Sequence, residues 1–138
     1  MDTFAVTTLD FAKAYGIYIA VTGLAGLFAP DRWKLVMDDY VRSPGLTYLT
    51  AVIAFGLGIA LVTLHNLWTD PLAIIVSLIG WVVLVEGIML MALPEALLKF
   101  GAAAVASHGR VRAWAIFALI AGLILLAAAF TGRATVTA

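Results

Sequence analysis

Few side chains in this sequence are of a kind that does chemistry, and their surroundings narrow what that chemistry is. Glu86 is the only charged residue in the run 71–93. Fifteen residues beyond Pro71, it lies roughly 22 Å along a helix of 1.5 Å rise, which puts it in the cytoplasmic third of the hydrocarbon that the run would cross. An ionised carboxylate there costs several kcal/mol unless it is protonated, hydrogen-bonded or reached by water. Two roles fit: a proton-coupling group that titrates, or an interhelical hydrogen bond or subunit contact. Thr22, Tyr48 and Thr50, with Thr47, fall at matching depth in the neighbouring runs and are the expected hydrogen-bond partners. No second acid and no base lies at that level, which favours the contact over the proton carrier.

A second cluster is His65, Asn66, Trp68 and Asp70. Trp68 suits a membrane–water boundary, where its ring is apolar and its N–H polar. Asn66 and Asp70 are expected to cap the turn before Pro71, and His65 to be a hydrogen-bonding packing residue. His108, the other of the 2 histidines, belongs to the opposite side, so no pair forms for a metal or a haem. A third group, Asp38 and Asp39 with Arg42, is either the solvated face of an amphipathic helix or a docking surface for a cytoplasmic partner. With 0 Cys there is no thiol nucleophile, thiolate ligand or disulfide. No Ser sits in a nucleophile elbow, no His-Glu-x-x-His occurs, and Gly56-Leu57-Gly58 lies inside an apolar run rather than a phosphate loop. The expectation is a protein that is not an enzyme and holds no cofactor or metal.

The elements that must position these residues follow from composition. Of 138 residues 64% are apolar and 12% charged, half the charge of a usual soluble domain, and the mean hydropathy is +1.12. This is an integral membrane protein whose first partner is the bilayer. Eight basic and eight acidic residues cancel, which argues against nucleic acid. Four runs reach the length that about 30 Å of hydrocarbon demands: residues 12–29, 46–68, 71–93 and 111–130. Each is predicted helical, because lipid offers the backbone no hydrogen-bond partner and the runs do not alternate as barrel strands do. The first is not a signal peptide, since Asp2 and Asp10 precede the lone Lys13. Arg32, Lys34, Arg42, Lys99, Arg110 and Arg112 oppose only Lys13 and Arg133, and six positive residues against two place both long connectors in the cytoplasm and both termini outside.

Shifted by 64 residues, the chain matches itself at Gly16 and Gly80, Gly23 and Gly87, Pro30 and Pro94, Asp31 and Glu95, Gly45 and Gly109, and Gly58 and Gly122. The spacing predicts one domain over 1–138 made of two copies, about 12–68 and 76–132, each a span, a Pro, a short amphipathic helix and a second span. Each copy crosses twice, so the repeat is parallel, with a pseudo-twofold axis along the membrane normal. After Pro30 the apolar stripe is Trp33, Val36, Met37, Tyr40 and Val41; after Pro94 it is Leu97, Phe100, Gly101, Ala104 and Val105. Ala54 with Gly58, and Ala118 with Gly122, repeat a small-x-x-x-small pattern that lets helix backbones approach.

Pro30-Asp31-Arg32-Trp33, Ser43-Pro44-Gly45-Leu46-Thr47-Tyr48, His65-Asn66-Leu67-Trp68, Gly80-Trp81, Glu86-Gly87 and Leu93-Pro94 together resemble a group of small, largely uncharacterised bacterial inner-membrane proteins of four spans. The likeness covers roughly residues 10–100. It implies a bacterial inner-membrane location and four spans, and no activity. It also implies that the charge at position 86 is not fixed in sign, because a Lys often stands at the matching position in that group, which weighs toward packing or subunit contact. The expected role is a structural or accessory subunit of a homo-oligomer or a larger membrane complex. The alternative is a small proton-coupled transporter working through Glu86.

Overall fold

The computed structural model describes residues 3–131. Arg133, Asp2 and the last residue assigned to the second copy therefore lie outside the described residues. Six helices follow one another: α1 (Thr3–Phe28), α2 (Pro30–Arg42), α3 (Pro44–Leu64), α4 (Pro71–Ala92), α5 (Pro94–Ala104) and α6 (His108–Thr131). Four are long and apolar enough to cross a membrane: Thr8–Phe28 within α1, and all of α3, α4 and α6. At 21 to 24 residues each they reach about 31–36 Å.

Proline sets most of the boundaries. Helices α2, α3, α4 and α5 each begin on one, where the missing N–H costs nothing. The residue before a proline is pushed out of the α region, and Ala29, Ser43, Asp70 and Leu93 all have φ between −122° and −138° with positive ψ. Ser43 Oγ accepts from the Leu46 N–H at 3.2 Å and Asp70 Oδ1 from the Ala73 N–H at 2.9 Å, so two of these starts also carry side-chain caps.

The second span ends earlier than its apolar run. Helix α3 stops at Leu64, and His65 to Trp68 form no helix. The His65 N–H still closes the last turn on Leu61 O at 2.8 Å, but its own backbone is extended, with φ −144° and ψ 103°. At the other ends the helices run further than hydropathy alone requires: α1 begins at Thr3, α3 at Pro44 and α6 at His108.

Two tight helix pairs build the bundle, α1 with α6 and α3 with α4. Glycine makes both possible. A Cβ on Gly58 would lie 2.4 Å from Leu84 Cα, and one on Gly122 would lie 2.5 Å from Ala20 N, so at each point backbone touches backbone. Ala54 flanks the matching contact, its carbonyl carbon 2.9 Å from where a Gly87 Cβ would stand. Ala118 instead faces a cavity beside α1. The pairs join through Ala12, Val76, Leu125 and Ala129, one buried cluster contributed by α1, α4 and α6. At the other end α2 and α5 meet, with the Met37 methyl 2.5 Å from where a Cβ on Gly101 would stand. Trp33, Val36, Met37 and Tyr40 are half-buried, whereas Val41, expected on the same face, is 58% exposed, and so is most of Phe100.

Candidate functional site

The His65 cluster is a closed polar knot at the α3–α4 turn. His65 is 2% exposed, and Thr8 and Ser77 are fully buried beside it. Its Nε2 lies 2.6 Å from Thr8 Oγ1 and its Nδ1 lies 3.0 Å from Ser77 Oγ. Ser77 Oγ also accepts from the Leu67 N–H at 2.9 Å and donates to Leu67 O at 2.7 Å. The serine proton thus goes to Leu67 O, so the imidazole donates from Nδ1 to Ser77, and in the neutral ring Nε2 is the acceptor that faces Thr8 Oγ1. Phe11 meets the ring edge-on, with centroids 5.8 Å apart. The knot explains why α3 ends at Leu64: Ser77 offers the Leu67 N–H and C=O a better partner than another helical turn. Burial pushes the His65 imidazole below its usual pKa, opposed by its backbone hydrogen bond and by Asp70.

Asn66 does not cap the turn as expected. Its Oδ1 accepts from two indoles, Trp68 Nε1 at 2.8 Å and Trp81 Nε1 at 3.2 Å. Trp68 is 47% exposed with its N–H bonded inward to the protein. Asp70 does cap α4. Thr8, Ser77 and Trp81 were not legible as members of this cluster, because nothing in the sequence tells which helix faces lie against the turn.

Glu86 lines a cavity of about 430 Å³ walled by α2, α3, α4 and α5. Thr47, Thr50 and Tyr40 share it. Thr50 Oγ1 donates to Tyr40 Oη at 3.5 Å, and the Thr47 hydroxyl to Tyr40 O at 2.8 Å. Among the described residues the Glu86 carboxyl accepts no hydrogen bond. Of its expected partners, Thr47 and Thr50 are brought into the same cavity, but Thr22 and Tyr48 are not. The Thr22 hydroxyl donates to Tyr18 O of its own helix at 2.7 Å, and Tyr48 is exposed over an adjoining groove with Glu95. Thr47 and Thr50 stand on the face of α3 toward Glu86, whereas Thr22 and Tyr48 face elsewhere.

Thr22 instead lines a second cavity, of about 400 Å³, between α1, α2, α5 and α6. Adding 64 carries Thr22 to Glu86, Gly26 to Leu90 and Trp33 to Leu97, all walls of the first cavity. Subtracting it carries Ala104 to Tyr40, Val111 to Thr47 and Trp114 to Thr50. One cavity is thus lined by a carboxyl and three hydroxyl side chains, where its counterpart has one hydroxyl bonded within its own helix.

At the α2–α5 end, His108 Nε2 pairs with Asp31 at the start of α2, an exposed contact that the sequence did not announce. Asp39 and Arg42 are exposed and Asp38 half-buried, without an ion pair among them. Among the described residues no three His, Cys, Asp or Glu side chains gather as metal ligands would.

The fold and these sites define an all-helical protein of four membrane-length helices, closed at one end by a polar knot and opened at the other by two lateral cavities. Compared with protein-family models, with curated proteins and with solved structures, the chain matches none.

Proposed function

We propose that the chain is two parallel copies of one span, short helix and span, and that it serves as a non-enzymatic structural or accessory subunit, in a homo-oligomer or a larger complex of the bacterial inner membrane. Contacts that exchange under the 64-residue shift support the duplication. Gly58 meets Leu84 as Gly122 meets Ala20, and Gly87 meets Phe55 as Gly23 meets Leu119. Each tight pair therefore takes one span from each copy. Ala12 and Val76, and Met37 and Gly101, are shift-related positions that come together at opposite ends of the bundle, as points on a pseudo-twofold axis along the membrane normal would. On this reading α2 and α5 lie at the cytoplasmic interface, and Asp38, Asp39 and Arg42 offer a docking surface there.

One observation carries the functional reading: the polar groups of the outer cluster close on other groups of the same chain. Thr8, His65, Ser77, Asn66 and Asp70 hold helix ends together, which is structural work. A proton-coupled transporter using Glu86 is the second reading, favoured by a carboxyl that faces a cavity and accepts no hydrogen bond. Against it, the way outward is closed by the Ala12, Val76, Leu125 and Ala129 cluster and by the His65 knot. Purification in a mild detergent followed by native mass measurement tests the proposal. The expected result is a particle of several copies, or one with a stoichiometric second subunit. A lone 14.6 kDa chain that drives pH-dependent flux in vesicles would contradict it.

A further inference from the structure

Among the cavities, charged patches and buried polar groups of this chain, the Glu86 cavity is the one whose chemistry specifies an occupant. We propose that it binds a lipophilic monocation, a bulky apolar amine or onium ion that enters from the lipid and pairs with the Glu86 carboxylate. The site is independent of the subunit role proposed above and requires no transport.

Four arguments lead there. The first is the comparison of the two cavities, which share six shift-related wall positions and have nearly equal volumes, about 430 and 400 Å³, yet carry a carboxyl only in one. Packing alone would be served at position 86 by the hydroxyl that serves at position 22. The second is charge: a carboxylate without a protein hydrogen bond in an apolar surround is stabilised most by a cation that brings little hydration to lose. The third is size, since 430 Å³ falls in the range of small-molecule sites, which are mostly apolar with a few placed polar groups. Tyr40 and Thr50 supply such groups beside Glu86.

The fourth argument is shape. Val82 and Phe100, 62% and 64% exposed, stand on its open side, and its walls take only residues 47–50 of α3 and 82–90 of α4 together with α2 and α5, so it is confined to one end of the spans. A membrane-spanning partner helix, about 10 Å across, would need a groove that runs on along the spans. A phospholipid would bring a phosphate toward the carboxylate and repel it. A compact cation without a phosphate meets neither obstacle.

Calorimetric titration of the purified full chain in neutral detergent with tetraphenylphosphonium tests the proposal. Saturable binding of one cation per chain is expected, weakened at least about tenfold by Glu86→Gln. Gln is a neutral amide of the same shape, and a detergent elution volume equal to that of the parent verifies its fold. Glu86→Asp should keep binding, and Thr22→Val, which alters only the counterpart cavity, should leave it unchanged. Absent saturable binding, an unchanged affinity in Glu86→Gln, or equal binding of the anion tetraphenylborate would each overturn the proposal. So would a co-purifying protein with a basic membrane span that is lost in Glu86→Gln while tetraphenylphosphonium fails to bind.

Discussion

Glu86, exposed in an open cavity, and His65, buried in a closed knot, make opposite demands on their surroundings. Among the described residues Glu86 has no hydrogen-bond partner to lose, and its side chain is exposed, so replacing it by Gln removes charge without breaking a bond. Glu86→Gln is expected to keep fold and assembly, and Glu86→Ala to change unfolding by less than about 1 kcal/mol, because no hydrogen bond of that scale is lost. Thermal unfolding followed by tryptophan fluorescence checks both. His65, by contrast, is fully engaged as a neutral ring. Its pKa is lowered in the fold, so below the ordinary value near about 6.5 the unfolded chain binds a proton that the folded chain refuses. The contribution is complete above that pH and is lost as pH falls through the lowered value. Melting temperature is therefore expected to drop as pH falls below about 6.5, and His65→Gln should be less stable at pH 7 but show a flatter pH profile. A wild-type curve without that fall would place the imidazole outside the knot.

At the scale of helices, the decisive contacts are backbone against backbone. Gly58→Leu and Gly122→Leu each put a side chain where the neighbouring helix stands about 2.5 Å away, and no rotamer avoids it. Each should cost about 1–3 kcal/mol or more, whereas Gly56→Ala, whose Cβ would meet nothing within 4 Å, should be neutral or stabilising. Unfolding in detergent separates these outcomes, and equal effects of all three would mean that the helices do not approach as described. These glycines were visible in the sequence, through the small-x-x-x-small spacing of Ala54 and Gly58, as close-packing positions. Which helix each one meets was not visible, because spacing along a helix marks a face and says nothing of its partner. The spans themselves were legible, since a bilayer leaves a run of about 20 apolar residues few other options. The end of α3 was misplaced by four residues for a physical reason: His65, Asn66 and Trp68 are as acceptable at a helix end as in a loop, and the choice was made by Ser77, ten residues beyond Leu67. Depth gave Glu86 a set of candidate partners, but the helix face kept Thr47 and Thr50 and removed Thr22 and Tyr48.

For the whole molecule, the proposed parallel duplication makes a demand that composition alone does not. Both copies must point the same way, so α2 and α5 must share one side of the membrane while the His65 turn lies on the other. The chain has 0 Cys, which gives single-cysteine labelling in intact cells a clean background. Cysteines at Asp39, in α2, and at Ser107, before α6, are expected to resist an impermeant thiol reagent until the membrane is opened. One at Asp70, between α3 and α4, is expected to react at once. Labelling of positions 39 and 107 with protection of 70 would reverse the orientation while keeping the two copies parallel. If Asp39→Cys and Ser107→Cys instead fall on opposite sides, the copies are not parallel and the account of the molecule is wrong.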